Sequence, residues 1–358
     1  MIYYNRILIF DGSYCLHRSL SVPNNYAMIN SKGKRTGGIL GTLGIINKEL
    51  RKFNYFPVVV FDGGLSSRRL QLIPNYKRNL DRIPLNECYD DLSEEQQLDL
   101  DFRREYNTER EDLIKLLPLF GIPTIKFQDW EGDDLLYYIS TICKDSIIIS
   151  DDRDILQLIQ EPEDNEDNRR CRIYRALNQE FWDKNKLKEE YEDINEYIGR
   201  KCICGDKSDN IPSCCDGVGN KTSKQLYELY QYTNEHNIEF PKTEESLDKL
   251  SKESNIKTRK SFINFNENQY LINYMMTNLY IIDKDEDIIN NICYTINNRD
   301  EYKNKDMIKE ILNDFEINIF NYEELFNRIS SLDNVLDINK INETNNIVDM
   351  NNLSNSLF

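Results

Sequence analysis

Three apolar runs end on an aspartate: Arg6-Ile-Leu-Ile-Phe-Asp11, Pro57-Val-Val-Val-Phe-Asp62 and Ser146-Ile-Ile-Ile-Ser-Asp151-Asp152. Short β-branched runs of this kind read as buried parallel strands. Ligands of open parallel sheets bind beyond the carboxyl ends of the strands, so the three runs bring carboxylates to one edge. Two further acidic clusters are candidates to join them, Glu131-Gly-Asp133-Asp134 and Asp206-Lys-Ser-Asp209. Crowded carboxylates raise one another's pKa unless cations neutralise them. An all-oxygen donor set suits magnesium or manganese. The chemistry implied is metal-dependent work on phosphate esters.

The elements that would position these acids follow from the pattern between them. Strand 6–11 leads through a loop with Lys32, Lys34 and Arg35 to a helix opening at Thr36-Gly-Gly and running to about Lys52. Strand 57–62 precedes a polar stretch, 63–105. Helix 108–119, strand 123–128, helix 131–143, strand 146–150 and helix 152–160 follow, and then an edge strand 171–175. This alternation predicts an α/β fold with a mostly parallel sheet covered by helices. From about 187 the pattern is helical. The expected division is 1–200, 201–330, and a polar tail 331–358 rich in Asn and Asp.

The chain has 358 residues and a net charge of −17, which argues against a polyanion partner until its distribution is read. Residues 1–82 carry +9 and the remainder −26. A basic part on an acidic chain suggests a surface facing nucleic acid. No apolar run approaches a membrane span, no targeting segment is recognised, and nine scattered cysteines favour a reducing compartment, the cytoplasm. Cys202, Cys204, Cys214 and Cys215 lack paired zinc spacing, and two histidines leave little room for histidine catalysis.

Within the clusters, Glu131 and Asp134 lie three apart on one face of a helix start. Acids there also complement the helix dipole, a reading that accounts for one or two of them but not the whole set. Gly217-Val-Gly219-Asn-Lys221-Thr222, just after the Asp206–Asp209 pair, is a turn whose backbone N–H groups would hold a phosphate.

Taken together, Asp11-Gly-Ser with His17-Arg18, Phe61-Asp62 with Arg69 and Pro74-Asn-Tyr76-Lys77, Glu131-Gly-Asp133-Asp134, Ser150-Asp-Asp152-Arg-Asp154 and Gly205-Asp206-Lys-Ser-Asp209-Asn-Ile-Pro resemble the motifs of the flap endonuclease and 5′–3′ exonuclease family, whose members include the ribonuclease H of T-even phages. The resemblance runs from about residue 6 to 290. Two features depart from the family pattern: the link Ser213-Cys-Cys-Asp216 lacks the usual glycine, and Asn79-Leu80 replaces a basic residue.

The resemblance implies a PIN-like nuclease domain, a helical arch within 64–105, and a helix-three-turn-helix DNA clamp. It implies a 5′ nuclease removing flaps, and RNA primers from RNA–DNA hybrids, in replication or repair. Asp11, Asp62, Glu131 and Asp133 would hold one Mg2+, replaceable by Mn2+. Asp152, Asp154, Asp206 and Asp209 would hold a second, with Asp134 close by. Lys77 would stabilise the scissile phosphate and Tyr76 would stack on a terminal base. Lys34, Arg35, Thr36, Arg69, Arg78, Arg82, Gly217, Gly219, Lys221 and Thr222 complete the expected DNA surface, with K+ at the clamp turn. A single-strand-binding protein is an expected partner, and the terminal Leu357-Phe358 resembles the peptides that hold sliding clamps. The alternatives are a non-catalytic nucleic-acid binder of the same fold and a PIN-type ribonuclease.

Overall fold

The computed structural model describes residues 3–78, 83–89, 92–166, 168–282 and 285–336. Six strands form one sheet: β1 (Tyr4–Asp11), β2 (Phe56–Val60), β3 (Thr124–Ile125), β4 (Cys143–Ile149), β5 (Arg170–Arg175) and β6 (Glu180–Trp182), in the order β3-β2-β1-β4-β5-β6. Every pairing is parallel except β5 with β6. The buried runs Ile7–Phe10, Val58–Val60 and Ile147–Ile149 fill its centre. The chain leaves β1 toward β2 on one side and returns as β4 on the other. That reversal opens a crevice at the carboxyl ends of β1 and β4. Asp11 pairs in register with Val60, and Phe10 with Ile149, so Asp11, Asp62 and Asp151–Asp152 leave the same edge.

Several elements differ from the sequence reading. β5 is internal, because β6 pairs outside it. The segment 123–128 supplies only the two-residue strand β3. Residues Asp154–Leu158 form a 3-10 turn rather than a helix. The helix expected from 108 runs Glu94–Leu116, started by a capping box between Ser93 and Gln96. Within the segment 64–105 expected to form a helical arch, residues 83–89 are not helical and lie along that helix. Arg103 holds the carbonyl of Ile83, and Arg104 those of Leu85 and Glu87.

Beyond β6 the described residues are helical, and the helix Ile194–Cys204 runs through the boundary expected after residue 200. Among the described residues, no helix is long and apolar enough to cross a membrane. The tail from 337 onward, and Arg82, lie outside the described residues.

Candidate active site

The crevice is a cleft of about 520 Å³, lined by Asp11, Asp62, Lys77, Glu131, Asp133, Asp151 and Asp152, with Ser13, Tyr14, His17 and Tyr106. Each acid arrives on an identifiable element. Asp11 ends β1 and caps the helix Gly12–Leu20, accepting the Tyr14 N–H at 2.9 Å and the Ser150 hydroxyl at 2.9 Å. Asp62 follows β2 and accepts the Ser13 hydroxyl at 2.6 Å and the Gly132 N–H at 2.7 Å. Glu131 and Asp133 sit at the start of the helix Gly132–Thr141. Asp152 follows β4 and accepts the Asp154 N–H at 2.8 Å.

The electrostatics follow from burial and crowding. Burial, then Asp62 and Asp152 nearby, push Asp11 up to about 7 against its hydrogen bonds. Burial and the charges of Asp152 and Asp154 raise Asp133 well above the carboxylate range. Asp152 is raised by burial and Asp154. Glu131 goes the other way: burial alone would raise it, but Arg69 and Lys77 hold it low.

The second expected group borders this cleft. The Lys77 ammonium lies 2.7 Å from Glu131 and 3.9 Å from Asp209. Its side chain is 34% exposed. Burial opposes its charge, yet Glu131 holds it firmly protonated. Asp154 is ion-paired with Lys201, and Asp206 accepts the Ser208 N–H at 2.9 Å. Lys201 was not singled out in the sequence; it lies on a helix with no motif spacing of its own.

The oxygen-only donors suit a hard divalent cation. Among the described residues, however, no three acids stand as ligands around one point. The oxygens of Asp11, Asp62, Glu131 and Asp152 face the hydroxyls, the backbone N–H groups and the Lys77 ammonium named above.

Asp134 is not brought to the cleft. It is 2% exposed, and its oxygens accept both Arg69 guanidinium nitrogens at 2.7 and 2.8 Å. This corrects both the metal role for Asp134 and the DNA role for Arg69: the pair is buried, and Arg69 also donates to the Met276 carbonyl. Tyr76 is also corrected. It is 4% exposed and donates to Glu131 at 2.9 Å, so its ring is not free to stack on a base. Asp151 lines the cleft but is held by Tyr14, by Arg175 at 3.1 Å and by Arg18 at 3.9 Å.

The other expected DNA contacts divide. Lys34 and Arg35 pair with Asp112 and Glu105, and Arg35 covers the Tyr26 ring at 4.0 Å. Thr36 is buried. The Thr222 hydroxyl is taken by Gly219, whose N–H donates to it at 3.0 Å, so Thr222 caps its helix from within. Arg78 and Lys221 are exposed. Gly217 has φ +71 and, like Gly219, open space where a Cβ would lie, which leaves the turn's backbone approachable.

Residues 6–192, just over half the chain, match the family described as 5′–3′ exonuclease, N-terminal resolvase-like domain. A 5′–3′ exonuclease of Aquifex aeolicus is 26% identical over 234 residues, 63% of this chain and 69% of that one. DNA polymerase I of Caldicellulosiruptor bescii is 28% identical over 237 residues, 63% of this chain but only 24% of the polymerase. The D15 protein of bacteriophage T5, crystallised with metal ions, has the same fold: TM-score 0.55 and 20% identity over 82% of this chain and 98% of that one. The sheet order, the cleft at its carboxyl edge and the match through residue 192 agree: this chain belongs to the 5′–3′ exonuclease family of nucleases.

Proposed function

We propose that this nuclease is a divalent-metal-dependent 5′ nuclease that hydrolyses phosphodiesters at free 5′ ends and 5′ flaps of DNA, and in RNA–DNA hybrids. The observation that carries the reading is the convergence of Asp11, Asp62, Glu131, Asp133 and Asp152 on one cleft, with Asp11 and Asp133 raised by burial and mutual repulsion. Such a site is stabilised by bound cation charge.

Asp11, Asp62, Glu131 and Asp133 would hold one Mg2+, and Asp152, Asp154, Asp206 and Asp209 the second; Mn2+ meets the same donors. Ions held there would supply Lewis-acid chemistry, lowering the pKa of a water and offsetting charge on the leaving oxygen. The chain's own part is positioning. Lys77 would turn from Glu131 to the scissile phosphate and neutralise its growing charge. Ser13 and Ser150 fix the orientation of Asp62 and Asp11. Arg78, Lys221 and the open turn at Gly217 and Gly219 would hold the backbone, with K+ at that turn completing the clamp. A sliding clamp would take the terminal Leu357-Phe358.

The test is hydrolysis of labelled 5′-flap DNA, RNA–DNA hybrid and single-stranded RNA, with and without magnesium. Magnesium-dependent release from the first two supports the reading. Cleavage confined to single-stranded RNA, or none at all, refutes it.

A further inference from the structure

The loop 30–36 is basic, and acids from two distant parts of the chain cover it. On one side stands the helix Glu94–Leu116, whose Asp112 pairs with Lys34 at 2.6 Å and whose Glu105 pairs with Arg35 at 3.8 Å. On the other is the turn Asp314-Phe315-Glu316, which closes the helix Lys305–Asp314. Lys32 is ion-paired with Asp314. The Ser31 N–H donates to one Glu316 oxygen at 3.0 Å and its hydroxyl donates to the other. The Asn30 amide donates to the Asp314 carbonyl at 3.2 Å, and the Lys34 ammonium lies 4.3 Å from the centre of the Phe315 ring.

The two sides differ in depth. Lys34 and Asp112 are 32% and 18% exposed, whereas Lys32 and Asp314 are 65% and 52% exposed. The first pair fastens the loop; the second is open to exchange with solvent ions. Glu316 also occupies a left-handed position, φ +59, where a helix more often ends on Gly or Asn. That conformation presents its carboxylate to Ser31.

Two carboxylates accept here: Asp314 from an ammonium, and Glu316, through both its oxygens, from a hydroxyl and a backbone N–H. A phosphodiester presents the same acceptors to the same donors. The loop is also well placed for one. Glu105, which pairs with Arg35, adjoins Tyr106 in the cleft wall, and Phe102 meets the cleft residue His17 edge-on at 5.4 Å. We propose that the Asp314–Glu316 turn is a built-in phosphate surrogate: it holds residues 31–32 in the free protein and yields them to a backbone phosphate of the bound strand. The proposal rests on the nucleic-acid reading above.

Exposed ion pairs are weak and screened by salt, so the turn acts as a brake rather than a lock. Neutralising it should free Lys32 to release one more counterion on binding. The experiment measures anisotropy of a labelled 5′-flap duplex in chelator, across a salt series. It compares wild type, the double variant Asp314→Asn with Glu316→Gln, and a charge-matched control on exposed acids of the same helix, Asp306→Asn with Glu310→Gln.

The double variant should bind about three- to tenfold tighter at the lowest salt. Its slope of log affinity against log salt should steepen by about one, and the control should stay within about twofold. In a Lys32→Ala background the gain should vanish, a comparison that holds even if the double variant is less stable. Wild type that binds with no gain in the double variant, or with a gain that survives Lys32→Ala, overturns the surrogate alone. Wild type that binds no DNA overturns the nucleic-acid reading and the surrogate with it.

Discussion

Lys77 occupies an unusual position for a lysine: a left-handed backbone, φ +50, with its N–H donating to the Asp209 carbonyl at 2.9 Å. The backbone contact ties it to the 206–211 turn, while its ammonium reaches Glu131. Lys77→Ala should therefore lower the single-turnover rate by about 100-fold or more, with affinity for flap DNA changed by less than about threefold. A loss confined to affinity would make Lys77 a tether. Asp133 is the converse case, a buried acid beside two others. Asp133→Asn should lower turnover at least about 100-fold, roughly 2.7 kcal/mol of barrier. It should also raise the melting temperature in chelator by about 2–4 °C, because one source of repulsion is gone. These acids were legible because each ends an apolar run or opens a helix. Their partners were not: Lys201 and Arg175 meet Asp154 and Asp151 only through packing between distant segments, and nothing in their spacing announces it.

At the level of elements, the helix Glu94–Leu116 is joined to the helix Gly37–Lys52 by a carboxyl group. Glu109 is fully buried, and its Oε2 accepts the Ile39 N–H at 2.7 Å. The close approach needs glycine at 38, where a Cβ would stand 2.9 Å from that oxygen. Burial, with Glu105 and Asp112 on the same helix, pushes Glu109 from its ordinary 4.5 to about 7, against the hydrogen bonds from Ile39 and Gly38. The unfolded chain loses this proton first, so folding takes up a proton between those values. Stability from this group is full below about pH 4.5 and falls as pH rises to about 7, by on the order of 3 kcal/mol. Glu109→Gln should flatten that part of a denaturation-versus-pH profile and be more stable than wild type at pH 8. A profile unchanged by the substitution would show that Glu109 does not titrate there. The expected helix 108–119 covers the C-terminal end of this helix, where Leu113 and Leu116 are buried, but not its start. The earlier half is polar, and its helicity comes from the Ser93 cap and from Arg103 and Arg104 gripping residues 83–89. The strand β6 was missed for a related reason: three residues after a tight turn carry too little alternation to read.

Across the whole molecule, the basic excess of residues 1–82 is met in part by acids from the rest of the chain. Lys34 and Arg35 meet Asp112 and Glu105, and Lys32 meets Asp314, so part of the +9 is neutralised inside the chain. The deepest of these long-range pairings is Arg69. From the short helix Ser67–Leu72 it reaches both oxygens of Asp134, stands 3.3 Å from Glu131 and donates to the Met276 carbonyl at 3.0 Å. It thus joins the wall of the cleft to the helix Glu267–Thr277 of the C-terminal region. Removing one partner strands a buried charge, which costs about 3–5 kcal/mol. Arg69→Ala should destabilise by that amount, and Asp134→Ala alone by about as much. The double variant Arg69→Ala with Asp134→Ala should cost less than the sum of the two, because neither charge is left unpaired. Arg69→Lys should recover only part of the loss, since an ammonium cannot make the two parallel bonds. Additive losses in chemical denaturation would instead mean that the two side chains act independently. In that case the coupling between cleft wall and C-terminal helices lies elsewhere in the apolar contact around Met276, Ile211 and the Tyr76 ring.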